Sequence, residues 1–104
     1  MANLLDILKA LSDGTRFEIL ELLLSEDLCV RGLSRRTGVS EAAVSQHLKI
    51  LRLAGIVSGE RRGYFAHYSV NRNVLYEASL ELRKLSGIDC ENEMSQSMKE
   101  RTQT

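Results

Sequence analysis

The spacing of apolar and polar positions divides the chain into five helical stretches and one pair of extended runs. Between Asn3 and Leu11, residues Leu4, Ile7, Leu8 and Leu11 share one helical face, with Leu5 standing off it. Asp13 is placed to cap a second helix. Thr15 to Leu24 carries Phe17, Ile19, Leu20, Leu22, Leu23 and Leu24 almost all round, which suits a central helix buried on most sides. Ser25-Glu26-Asp27 is a polar break, and Leu28-Cys29-Val30 is an extended entry to a short helical stretch from Val30 to Thr37. Ser40 is placed to cap the next helix, which runs to Ala54 with Gly55 as its stop. Val44, Leu48 and Leu51 form its apolar stripe. In VSGERRGYFAHYSV two β-prone runs flank Arg61-Arg62-Gly63, and Tyr64, Ala66, Tyr68 and Val70 alternate as a half-buried strand should. Asn71 is placed to cap a last helix from Arg72 to Ser86, striped by Val74, Leu75, Ala78, Leu82 and Leu85 and stopped by Gly87.

Two short helices joined through Gly38-Val39-Ser40 make a helix-turn-helix. A hairpin that must pack on a helix to be stable follows at once. The expected fold is therefore mainly α with a small β-hairpin, a winged helix-turn-helix. The expected division is residues 1–87 as the folded domain and 88–104 as a polar tail. Leu4, Leu5, Leu8, Leu75, Ala78, Leu82 and Leu85 present more apolar surface on the first and last helices than so small a fold uses internally. That surplus predicts a two-fold dimer through those helices.

Composition narrows the class. The 104 residues suit one small domain, with 43% apolar residues and no proline. No apolar run approaches the roughly 18 residues of a membrane span, and MANLLDILKA lacks the basic region and long apolar core of a secretory signal. Two cysteines, Cys29 and Cys90, cannot form a dense disulfide framework and point to a reduced, cytoplasmic chain. Formal net charge is zero, but it is unevenly spread. From Arg31 to His67 seven basic residues face two acidic ones, a net of +5, which leaves −5 on the remainder. Association responds to the local field rather than to the sum, so the central block is a candidate DNA face.

At roughly 100° per residue, the side of the Ser40–Ala54 helix opposite its stripe carries Ala42, Ser45, Gln46 and Lys49. It is small, polar and nearly free of acid, as a helix lying against bases and phosphates needs to be. Gln46 can bond adenine bidentately, Ala42 can meet a thymine methyl, and Glu41 can accept from a cytosine amine or simply favour the helix dipole. Ser40, at the start of this helix, belongs to the same candidate face. Arg35, Arg36 and Arg52 are placed for phosphates, as are Arg61 and Arg62 at the hairpin tip. His47 falls between the stripe and the DNA side, where packing or a phosphate contact outweighs a metal role. His67, on the second strand, is expected to be structural.

LCVRGLSRRTGVSEAAVSQHLKILRLAGIV, followed by RRGYFAHYSV and preceded by SDGTRFEILELL, resembles the ArsR/SmtB family of bacterial and archaeal repressors from about Leu4 to Leu85. The resemblance implies a dimeric winged-helix repressor that leaves duplex operator DNA when a metal ion or another small signal is sensed. Many metal-sensing members carry Cys-Val-Cys where this chain has Cys29-Val30-Arg31. Others place Asp and His ligands on the last helix, at positions that here are Arg72, Val74, Leu85 and Ile88. Both common sites are therefore broken. A thiophilic metal or metalloid, or an oxidant, is left with Cys29 and Cys90 as candidate sensing residues.

Other readings stay open on the residues alone. One is a winged helix that binds protein rather than DNA; another is a repressor with a non-metal effector or none. An enzyme using Cys29 with His47 or His67 lacks a third, orienting carboxylate at a recognisable spacing and a Gly-rich phosphate loop.

Overall fold

The computed structural model describes residues 3–88. Five helices and one hairpin follow in the order α1 (Leu4–Leu11), α2 (Gly14–Ser25), α3 (Val30–Thr37), α4 (Glu41–Leu53), β1 (Val57–Arg62), β2 (Phe65–Val70) and α5 (Arg72–Ser86). Local chemistry starts most of the helices. Asn3 Oδ1 accepts the Asp6 N–H at 2.9 Å, Asp13 Oδ2 that of Arg16 at 3.0 Å, and Ser40 Oγ that of Ala43 at 3.1 Å. Each satisfies a first-turn donor that has no partner within the helix.

The core joins Ile7 and Ala10 of α1 to Ile19, Leu20 and Leu23 of α2, Leu33 of α3, Val44, Leu48 and Leu51 of α4, then Ala54, Ile56, Val57 and Ala78. In α1 the buried stripe runs through Ile7 and Ala10, and Leu8 is exposed. In α2 Phe17 is 46% exposed, so that helix is not apolar-buried all round. It packs against α1, α3, α4 and β2.

The helix-turn-helix closes through specific bonds. Gly38 takes φ 78°, a left-handed conformation that costs a residue without Cβ nothing, and its N–H reaches Ser34 O at 2.9 Å. Ser34 Oγ then donates to Val39 O at 2.6 Å. With the turn fixed, Leu33 of α3 is buried in the same cluster as Val44 and Leu48 of α4.

β1 and β2 pair antiparallel, in register from Val57 with Val70 to Arg62 with Phe65. Gly63 and Tyr64 are therefore the two-residue turn, with Gly63 at φ 63°, as the first position of a type II′ hairpin requires. Tyr64, expected to begin the half-buried series, is instead 96% exposed at the tip. The turn consumes it, and the inward alternation starts at Ala66.

Asn71 stands at the start of α5 but does not cap it with its side chain. Its Nδ2 donates to Gly55 O at 2.8 Å, its Oδ1 accepts from Ser58 Oγ at 3.1 Å, and its N–H reaches Ile56 O at 2.8 Å. Asn71 thus ties the end of the wing to its beginning. α5 then packs on α1 with Ala78 buried and Leu75 and Leu4 partly buried against the core. Leu4, Leu75 and Ala78, expected to be surplus to the single chain, are used by it. On α1 and α5 the exposed apolar side chains are Leu5, Leu8, Tyr76, Leu82 and Leu85, with Leu5 68% and Leu85 78% exposed. No described helix is long and apolar enough to cross a membrane.

Candidate nucleic-acid interface

Burial of Val44, Leu48 and Leu51 fixes the rotation of α4 about its axis, and the remaining face points outward. Ala42, Ser45, Gln46, Lys49 and Arg52 are all exposed, as is Glu41 in the first turn. Ser40 spends its hydroxyl on the Ala43 N–H, so its side chain serves the helix before any ligand. Glu41 Oε2 lies 4.0 Å from Arg31 Nε, a loose surface pair.

A polar junction steadies α4 from behind. Arg16 Nε donates to Ala10 O at 2.6 Å, where α1 ends, and Arg16 Nη1 lies 3.2 Å from His47 Nδ1. A guanidinium can only donate, so Nδ1 accepts and the ring proton sits on Nε2 in this geometry. Asp13 stands 4.0 Å from the same imidazole nitrogen. The Arg16 backbone N–H holds the Asp13 carboxyl below its ordinary range, helped by the Arg16 guanidinium. A depressed carboxylate favours the fold above its unfolded-state pKa and loses that contribution as pH falls through the lowered value; at neutral pH Asp13 is ionised. His47 is thus half-buried and bonded within the chain, and Arg16, which orients it, lies about thirty positions upstream.

The cations divide into two groups. Among the described residues, no carboxylate lies within ion-pair distance of Arg35, Lys49, Arg52 or Arg61. Arg36 and Arg62, placed by the sequence in the same phosphate-binding set, are engaged. Arg36 forms a two-pronged pair with Glu26. Arg62 Nη1 donates to Asp27 Oδ2 at 2.8 Å and its Nε to Glu60 Oε1 at 3.4 Å. His67 Nδ1 donates to the other Asp27 oxygen at 3.0 Å. The bond from His67, then that from Arg62, holds the Asp27 carboxyl below its ordinary range. Asp27 in turn raises Arg62.

Cys29 is a free, half-buried thiol at the start of α3. Its backbone bridges to that of His67 on β2. Beside it is a recess of about 200 Å³ lined by Val30, Arg31, Glu41, Tyr64 and Ala66, where α3, the start of α4 and the wing tip meet. Cys90 lies outside the described residues. Among the described residues, no three His, Cys, Asp or Glu side chains gather where they could hold a metal ion. Among the described residues, the donors therefore do not fit a chelated ion.

Sequence patterns did not reveal Arg16 or the Glu26–Asp27 pair as parts of this surface. The one available signal was two adjacent acids interrupting the chain just ahead of its basic block.

The family described as bacterial regulatory protein, arsR family, matches residues 13–58, from the cap of α2 to the second residue of β1. The transcriptional repressor SdpR of Bacillus subtilis is 37% identical over 70% of this chain and 81% of its own length. Among solved structures, an ArsR-like transcriptional regulator from Rhodococcus sp. RHA1 superposes with TM-score 0.75 at 28% identity, covering 96% of this chain and 90% of that one. The homodimeric winged helix-turn-helix DNA-binding domain Mb0332 of Mycobacterium bovis does so with TM-score 0.65 at 27% identity, covering 78% and 76%. With the helix-turn-helix, the wing and the acid-poor outer face of α4 in place, the chain belongs to the ArsR family and is a DNA-binding regulator of transcription rather than an enzyme.

Proposed function

We propose that this protein is a cytoplasmic, homodimeric repressor that reads duplex operator DNA through α4 and positions itself by phosphate contacts from α3, α4 and the wing. The observation that carries the reading is the division of α4: one face wholly buried, the other exposed, small, polar and nearly free of acid. Ala42, Ser45 and Gln46 are the base-reading residues, with Glu41 beside them. Arg35, Lys49, Arg52 and Arg61 meet phosphate.

Gln46→Ala is expected to lose discrimination between operator variants, by about 1–3 kcal/mol at one base position. Arg61→Ala weakens all duplexes alike and lowers the slope of log affinity against log salt by about 1 per protomer. Binding isotherms on matched and mismatched duplexes at several salt concentrations check both. A uniform loss with Gln46→Ala, or an unchanged slope with Arg61→Ala, contradicts the assignment.

The signal that releases DNA is assigned to thiol chemistry at Cys29, with Cys90 as the second thiol. Supporting it is the position of Cys29 beside the recess where α3, α4 and the wing tip converge. A group added there moves the wing relative to the reading helix. Disulfide formation between the two thiols would give up two electrons and two protons to an oxidant such as hydrogen peroxide, which is reduced to water. Oxidant or arsenite is expected to lower the operator affinity of the wild type and leave Cys29→Ser unaffected. Equal responses of wild type, Cys29→Ser and Cys90→Ser remove the cysteines from the mechanism and leave a non-metal effector or none.

A further inference from the structure

Two arginines of the DNA-facing set are already bonded to carboxylates, and both carboxylates come from one short segment. Glu26 and Asp27 are adjacent, in the connection between α2 and α3. Glu26 takes Arg36 from the last turn of α3, and Asp27 takes Arg62 from the end of β1. The segment therefore holds one arginine from the helix before the reading helix and one from the wing after it. Its chemistry is that of a pair of backbone phosphates: two adjacent anions, one gripping a guanidinium through both oxygens. A guanidinium fork bonds carboxylate and phosphate in the same planar way.

We propose that Glu26 and Asp27 are internal phosphate mimics, which hold Arg36 and Arg62 in the free protein and surrender them to DNA on binding. The inference rests on the duplex-binding reading above. All four side chains are exposed enough for exchange without unfolding: 48% and 37% for Arg36 and Glu26, 51% and 60% for Arg62 and Asp27. The pairs are built differently. Arg36 has one partner, whereas Arg62 is shared between Asp27 and Glu60, and Asp27 is further held by His67. The lowered Asp27 and raised Arg62 keep that pair charged across the neutral range. Arg61, one residue away on β1, has no described carboxylate partner and meets phosphate without first giving up a bond. The consequence is graded affinity: the protein binds any duplex less tightly than its basic residues alone would allow, and non-operator DNA is discouraged with it.

The test measures binding of a fluorescein-labelled, mixed-sequence DNA duplex by anisotropy over a range of salt, using the full chain. Exposed ion pairs of this kind are weak, so Asp27→Asn is expected to tighten binding roughly two- to fivefold per protomer, and the square of that in a dimer. The salt slope should stay close to that of the wild type, because the arginine meets phosphate in both complexes and only the bond given up beforehand differs. Glu26→Gln does the same through Arg36 and provides a second, structurally independent variant. Asp27→Asn placed in an Arg62→Gln background should change nothing. Unchanged or weaker binding by both single variants overturns the inference, because the acids would then be positioning the wing rather than competing for it. An equal gain in the Arg62→Gln background overturns it too, since Asp27 would be acting through the general field. A wild type that binds duplex without salt dependence is a different result, and removes the DNA-binding reading itself.

Discussion

Leu82→Glu combined with Leu85→Glu is expected to convert the protein to a monomer and to lower operator affinity by roughly a thousandfold or more, the gap between specific and non-specific binding. Leu5, Leu8, Leu82 and Leu85 are leucines that α1 and α5 leave exposed, whereas Ala78 is buried and Leu75 partly buried in the chain's own core. Each leucine buried between protomers contributes roughly 1.5–3 kcal/mol. A carboxylate at the same place forfeits that and adds the cost of removing an unpaired charge from water. Because the substituted positions are exposed in the single chain, the helices themselves should survive. Sedimentation velocity at micromolar concentration reads the mass, circular dichroism the helix content, and a duplex carrying two half-sites about 34 Å apart reads the affinity. A doubly substituted protein that still sediments as a dimer places the interface elsewhere.

Leu48→Ala should cost about 2–5 kcal/mol of folding stability. Leu48 is almost wholly buried among Leu33, Val44 and Leu51, at the seam between the two helices of the helix-turn-helix, where neighbours held by the Gly38 turn have little freedom to collapse into the space. Against a total of about 5–15 kcal/mol for a domain, that is enough to leave a measurable unfolded fraction. Gln46→Ala lies on the same helix two residues away with its side chain in solvent, and should stay within about 0.5 kcal/mol of wild type. Urea unfolding of both variants at one protein concentration, held fixed because dimerisation is linked to folding, compares the two faces directly. Similar midpoints for the two would mean that α4 is not rotated as described.

What could be read from the residues alone is what short-range physics controls. Helical periodicity marked Val44, Leu48 and Leu51 as the buried side of α4 and so marked Ala42, Ser45, Gln46 and Lys49 as its outer side. Asp13 and Ser40 cap their helices because a side-chain oxygen three residues back meets a free N–H whatever lies elsewhere. Gly38, Gly63 and Gly87 take the positive φ that ends an element. Where a turn took one residue more than its pattern showed, as at Tyr64, the strand began later, since alternation does not say where a hairpin loop ends.

Tertiary structure alone decided which charges are free and which apolar positions are spare. Arg61 and Arg62 are neighbours with the same composition and the same expectation, yet only Arg62 has Asp27 brought against it, from 35 residues away. Asn71 serves the wing rather than its helix because Gly55 and Ser58 arrive beside it. His47 is set by Arg16, which also holds the end of α1. Periodicity and capping depend on neighbours within about one helical turn and are written locally. Ion pairs and the allotment of Ala78 to the chain's own core depend on distances that exist only after the helices have packed.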